Sequence, residues 1–432
     1  MKISLSSYAL DLTAHAFHIT LLIASPLIAP KYFVLFGVPA SCAILTVPFP
    51  LLIICYLTQK YGSVYGNKMR WQGIGGYLLM VVCIWGIDLI PMDVHSVVSE
   101  SLWSQVLGRF PSVAICWGAM YVIAGNLVGW CYEKRLFQWE EVSVMISVWW
   151  GTLVAGSLWV MGLVYTEVIS LPLAVWIGSM GGFSIWMLII GSVFFLIRGT
   201  TQKNWLKNRI AITPSPILYG LYPFLLMCFW LVLLLTNLVV VKCFSLWGYF
   251  FTVGLLTYPF TFLGTDLVGE LYGKKKAIYA VWSGFLVSVI MMMVLVIVDW
   301  MPIYHTSIFS QQAFSSIFSF TPAIVVASML AYLASQFTDV YLFDGLRLLT
   351  HGKYLWLRNN AATMISQLID TFIFAVIVWY IWPKLHMASS EIDMGNEYWC
   401  QLAINEYMGK LVLALLDTPL VYVGTRWFQN YK

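Results

Sequence analysis

Charge is scarce in this chain. Only 10% of its 432 residues are Asp, Glu, Lys or Arg, where a soluble domain carries about a quarter. That shortage excludes a soluble globular body, and a net charge of +4 gives no basic surface suited to nucleic acid. The eight cysteines form no C-x-x-C pair and lie mostly inside apolar runs, so they are expected to be packing thiols, not a disulfide framework or a metal site. Histidine is equally thin, with six residues and no H-E-x-x-H pattern. His15 and His18 share a helical face without a third ligand, so no metal is expected. No Walker loop is present, which excludes ATP hydrolysis by this chain, and no nucleophile set marks an enzyme. No cofactor is implied. Met1 to Asp11 holds one Lys and little apolar length, so the first apolar run reads as a retained helix and not a cleaved signal.

What the chain has in excess is apolar length. It is 61% apolar with a mean hydropathy of +0.83, and carries 21 Trp and 24 Tyr, rings that favour the membrane-water interface. Crossing a bilayer takes about 20 helical residues. The first half offers six candidate spans: Leu12 to Ala29, Tyr32 to Leu57, Ile74 to Ile90, Pro111 to Tyr132, Val142 to Tyr165 and Leu171 to Ile197. The second half offers Ile217 to Val241, Leu246 to Leu267, Ala277 to Val298, Pro322 to Phe343, Ala361 to Trp382 and Leu411 to Phe428. These are uninterrupted runs and not the ten-residue alternations of a barrel, so the expected fold is all-α, polytopic, without strands.

Orientation follows from the basic residues. Placing both termini and every second loop on one side gathers eighteen of the 23 Lys and Arg, leaving Lys31, Arg109, Lys242, Lys384 and Lys410 on the other. Positive charge marks the cytoplasmic side, so both termini are expected in the cytoplasm. An inner-membrane protein is implied.

Sliding the chain over itself by 211 residues brings more than fifteen residues onto identical ones, among them Lys31 on Lys242, Thr46 on Thr257, Asp88 on Asp299 and Tyr121 on Tyr332. Rare residue types held at one offset over ninety positions imply a tandem duplication. Six helices per copy is an even number, so the copies are expected as parallel repeats: residues 1–200, a cytoplasmic linker at 201–216 containing Pro214 and Pro216, and residues 217–432.

Ionisable groups inside a bilayer cost about 2.5–3.5 kcal/mol each on insertion scales, so their positions invite a functional reading. The second half holds Asp266 and Glu270 four apart, Gln336 and Asp339 three apart, and Asp417 in the last run. Arg358-Asn359-Asn360 opens the eleventh helix, followed by Thr363, Gln367 and Asp370 on one face. The first half has Cys55, Gln59, Gly125, Val128, Val148 and Gly151 where the second has Asp266, Glu270, Gln336, Asp339, Gln367 and Asp370. One copy is expected to keep a site and the other a scaffold. Glu270 has an alternative role as an ion-pair partner of Lys274 to Lys276, and Trp356 as a headgroup anchor.

The stretches T-Y-P-F-T-F-L-G-T-D-L-V-G-E-L-Y-G-K-K-K-A from Thr257, A-S-Q-F-T-D-V-Y-L-F from Ala334, L-W-L-R-N-N-A-A-T-M-I-S-Q-L-I-D-T from Leu355 and K-L-V-L-A-L-L-D-T-P from Lys410 resemble the queuosine-precursor transporter family, also called the vitamin uptake transporter family. The resemblance covers about Leu218 to Phe428, and the degenerate first copy departs from the family's usual single six-helix unit. It implies import of 7-deazaguanine bases (queuine or its precursors) for tRNA modification. Asp266, Glu270, Gln336, Asp339, Arg358, Asn359, Asn360, Gln367, Asp370 and Asp417 are then candidates for substrate binding or coupling. The residue types suit such a ligand: a carboxylate accepts from an N–H and amino edge, and Gln and Asn read a carbonyl. A membrane capture subunit of an energy-coupling importer, or a transporter of another vitamin-like heterocycle, is the alternative.

Overall fold

A computed structural model describes residues 5–110 and 221–377 apart from short gaps, isolated positions between 114 and 179, and residues 395–429. The expected spans from Pro111 to Ile197, the linker at 201–216 and Lys384 fall outside the described residues. By close contact the chain divides into two units. The first comprises Met1–Trp85, Ser104–Tyr219 and Met291–Phe314; the second comprises Gly86–Trp103, Gly220–Ile290 and Ser315–Lys432. Each unit thus takes a short segment from the opposite half of the sequence.

In the first unit, α1 (Leu5–Ile28) leads into a hairpin of β1 (Tyr32–Leu35) and β2 (Val38–Ser41). Helix α2 (Ser63–Asp88) begins in this unit, and α3 (Glu100–Val106) follows it. In the second unit, α4 (Tyr222–Val239) has Pro223 in its first turn, where a missing N–H costs nothing. A second hairpin pairs β3 (Cys243–Leu246) with β4 (Tyr249–Thr252). Its two turn residues, Trp247 (φ 53°) and Gly248 (φ 81°), both adopt the left-handed conformation that two-residue hairpin turns demand. After the single turn α5 (Gly254–Thr257), α6 (Pro259–Tyr272) runs to Gly273, which stops the helix at φ 82°. Helix α7 (Lys274–Trp300), α8 (Gln311–Phe318), α9 (Pro322–Leu349), α10 (Leu355–Ala375) and α11 (Gly395–Gln429) complete the described chain.

The protein is helical and built for a membrane. Four described helices are long and apolar enough to cross one: Val64–Asp88, Tyr222–Val239, Lys274–Trp300 and Cys400–Trp427. Helices α9 and α10 match a bilayer in length, at about 42 and 32 Å, but their buried polar residues lower their hydropathy.

Two expectations are corrected here. Strands do occur: the run beginning at Tyr32 contains a hairpin, and the run beginning at Leu246 opens inside a second one, where continuous helices were expected. Aromatic and β-branched residues such as Tyr32, Phe33, Val34 and Phe250, Phe251 are as hydrophobic as a membrane helix yet prefer extended backbone. The last helix also begins at Gly395 and not at Leu411, so Lys410 lies within a helix and not in a loop.

Candidate substrate site

The packing of α9 on α10 is antiparallel, fixed by two reciprocal hydrogen bonds. The Ser335 hydroxyl donates to Asp370 Oδ1 at 3.3 Å, and the Ser366 hydroxyl donates to Asp339 Oδ1 at 3.2 Å. Residues three and four apart share a helix face, so this register also turns Gln336 into the seam from α9, and Thr363 and Gln367 from α10. All are buried: Gln336 is 1% exposed, Asp339 0% and Gln367 2%. Among the described residues, Gln336 Oε1, Thr363 Oγ1 and Gln367 Oε1 make no hydrogen bond. Buried polar atoms are almost always satisfied, and a cluster that is not calls for a missing partner.

One end of the seam is closed by an ion-pair group. Arg358, 1% exposed, donates from Nη2 to Glu270 Oε2 at 2.8 Å, and Arg347 Nη1 approaches the same oxygen at 3.8 Å. Arg358 also lies over the Phe343 ring, with its guanidinium carbon 5.3 Å from the centroid. The partners of Glu270 are therefore arginines of α10 and α9, whereas Lys274 pairs with Asp344 at 3.5 Å. Asp266 is buried beside them and borders a small void with Thr265, Gly269 and Phe343. Asn359 is buried in the first turn of α10. Asn360 is tied to the last helix through Nδ2, which donates to Thr418 Oγ1 at 2.8 Å. Trp356 is half exposed, which suits a headgroup anchor. Asp417 lies on α11, but its side chain is outside the described residues.

At the other end Asp370 meets a cation that sequence reasoning missed. Lys410 of α11 donates to Asp370 Oδ2 at 2.9 Å and lies 4.2 Å from the centroid of the Tyr258 ring. Four residues earlier, Glu406 Oε1 accepts from the backbone N–H of Thr252 at 2.6 Å, fixing α11 to the hairpin. The helical spacing of Glu406 and Lys410 on one face is a usable signal, obscured because the apolar run begins only at Leu411, sixteen residues into the helix.

Nine of the ten expected residues have described side chains, all in the second unit, where Ser335, Ser366, Tyr258 and Lys410 contact Asp339 or Asp370 or each other. The first unit holds a polar set of its own that the sequence comparison overlooked. His15 Nε2 lies 2.6 Å from the Tyr65 hydroxyl, His18 Nε2 lies 2.8 Å from that of Tyr121, and Arg70 is buried. Leu226, Phe229 and Val281 stand 211 residues on from His15, His18 and Arg70.

Comparison with known proteins places this site inside a family. A family profile described as "Putative vitamin uptake transporter" matches residues 252–424, which contain every residue of the seam. A Bacillus subtilis (strain 168) protein named "Probable queuosine precursor transporter" is 33% identical over 197 residues, 45% of this chain and 80% of that protein. The Escherichia coli (strain K12) "Queuosine precursor transporter" is 27% identical over 190 residues, 43% of this chain and 77% of that protein. No solved structure matches the chain.

Proposed function

Because the chain belongs to the vitamin uptake transporter family, we propose that it imports queuosine precursors, 7-deazaguanine bases such as queuine, across a bacterial cytoplasmic membrane. The observation that carries this reading is the seam between α9 and α10, where the buried side-chain oxygens of Gln336, Thr363 and Gln367 make no hydrogen bond among the described residues. A planar heterocycle with donors along one edge and a carbonyl beside them would fill that capacity. Asp339 accepts from the donor edge, Gln336 and Gln367 meet the carbonyl and ring nitrogens, and Thr363 and Asn359 line the approach. Arg358 and Glu270 hold that approach in shape, while Asp370 and Lys410 form the switchable charge pair at the far end.

The full architecture in this reading is twelve spans as two parallel six-helix repeats, residues 1–200 and 217–432 joined by a cytoplasmic linker, with both termini inside. Tags at Met1 and Lys432 should both be shielded from an impermeant label in intact cells, and labelling of either end from outside overturns that topology.

The function is tested by uptake of labelled queuine and its 7-cyano and 7-aminomethyl precursors in cells lacking their own transporter. Uptake should depend on this chain, fall at least tenfold with Gln367→Ala or Asp339→Ala, and change little with Val128→Ala or Val148→Ala. No uptake of any of the three by membrane-inserted protein refutes the assignment.

A further inference from the structure

The two hairpins make the same unusual contact, each with the opposite half of the sequence. Lys242, just before β3, is 2% exposed and donates to the carbonyl of Ile87 at 2.9 Å, at the C-terminal end of α2. Lys31, just before β1, is fully buried and donates to the carbonyls of Val298 at 2.6 Å and Asp299 at 3.2 Å, at the C-terminal end of α7. Adding 211 to Lys31 gives Lys242, and subtracting 211 from Val298 gives Ile87.

The correspondence extends through the neighbouring contacts. Lys242 lies 4.9 Å from the Trp103 ring centroid and Lys31 lies 4.7 Å from that of Phe314, again 211 apart. The backbone N–H of Asp93 donates to the Cys243 carbonyl at 3.0 Å, and that of Tyr304 to the Tyr32 carbonyl at 2.8 Å. The Ser96 hydroxyl accepts from the N–H of Cys243 at 3.0 Å, and the Ser307 hydroxyl from that of Tyr32 at 3.0 Å. Each ammonium has left water, and what replaces water is the negative end of a helix, carbonyls of its last turn that also accept a backbone N–H (Ile90 to Ile87, Met301 to Val298), and an aromatic face. Such a lysine is specific for the end it caps.

A contact in which residue i meets j while the equivalent of j meets the equivalent of i is the signature of an isologous interface between two copies of one chain. Here both copies lie in one polypeptide. We infer that the first half of this protein is a built-in partner for the second, joined to it by two reciprocal lysine clasps. Residues 86–103 of the first half complete the transporting unit, and residues 291–314 of the second half complete the other. The occupant that each clasp fits is a second copy of the same repeat, supplied internally. The clasps hold the two halves together whatever the substrate is.

The test uses the full chain with a protease site inserted at 201–216, Ser96→Cys, and every native cysteine except Cys243 replaced by Ser. After cleavage in membranes and oxidation, the halves should run as one band in SDS, separating on reduction. Without oxidation they should still co-purify in mild detergent. Lys31→Ala with Lys242→Ala should lower the co-purified fraction about tenfold or more, since two charge-assisted contacts are lost. Two separate bands after oxidation, with both thiols reactive to a maleimide, would overturn the exchange. Undiminished co-purification with both lysines removed would overturn the clasps as its cause.

Discussion

Lys410 on the last helix neutralises Asp370 on α10 across 2.9 Å, and both side chains are 11% exposed. A carboxylate in a membrane needs such a partner or a proton. Removing one member of a buried pair leaves an uncompensated charge, which costs about 3–5 kcal/mol, whereas removing both together is often nearly neutral. Lys410→Ala should therefore lower the melting temperature of the detergent-solubilised protein sharply, and adding Asp370→Asn should restore most of it. Uptake should stay lost in the double variant, because in the proposed reading the pair also switches during transport. A double variant that transports normally would reduce the pair to scaffolding.

Arg358 presents a related case with a different expected pattern. Its guanidinium is almost wholly buried, donates to Glu270 at 2.8 Å and covers the Phe343 ring. A lysine supplies the charge but not the planar fork or the stacking. Arg358→Lys should keep the protein inserted yet raise the half-saturating substrate concentration, while Glu270→Gln should be milder because one hydrogen bond can persist. Equal uptake kinetics for Arg358→Lys and the parent protein would remove the arginine from the approach to the site.

The polar seam was legible in the sequence because it is local. Gln336 and Asp339, and then Thr363, Gln367 and Asp370, declare a face by spacing alone, and their burial in α9 and α10 follows. The hairpins were not legible, since hydropathy does not distinguish Tyr-Phe-Val-Leu in a strand from the same residues in a helix. Lys410 was misplaced because an apolar window discards Gly395 to Lys410, which is helical but too polar to score. The lysine clasps rest on contacts hundreds of residues apart, and only the matching of Lys31 with Lys242 hinted at them.

Close approach of α7 to its neighbours rests on one glycine. A Cβ on Gly284 would meet the Tyr332 hydroxyl and come within 2.7 Å of Phe229, both well-packed rings, so Gly284→Ala should cost about 1–3 kcal/mol by overpacking. Gly345, within α9, has open space where a Cβ would go, so Gly345→Ala should gain about 0.5–1 kcal/mol of helix propensity. Thermal melts of the two variants in the same detergent should move in opposite directions. A shift of the same sign in both would mean that backbone freedom and not packing governs these positions.

The two seam carboxylates differ in that Asp370 is paired with the Lys410 ammonium. Asp370 takes Lys410 on one oxygen and Ser335 on the other, so a base could reach it only by displacing a cation. Asp339 accepts from Ser366 on one oxygen and lies three residues from Gln336, whose side-chain oxygen makes no hydrogen bond among the described residues. In the proposed reading Asp339 reads the base and Asp370, held by Lys410, carries the charge role. A site built on hydrogen bonds rejects an analogue lacking the read group by far more than an apolar pocket can, because the buried acceptor is left unpaired. In competition assays, queuine and its precursors should displace one another, and an analogue lacking the 2-amino group should compete at least about a hundredfold less well. Asp339→Asn should flatten that discrimination, bringing the analogue within a few fold of queuine in whatever binding remains. Asp370→Asn should reduce transport while leaving the ratio between the two ligands near its original value. If instead Asp370→Asn flattens the ratio and Asp339→Asn preserves it, the two roles are reversed.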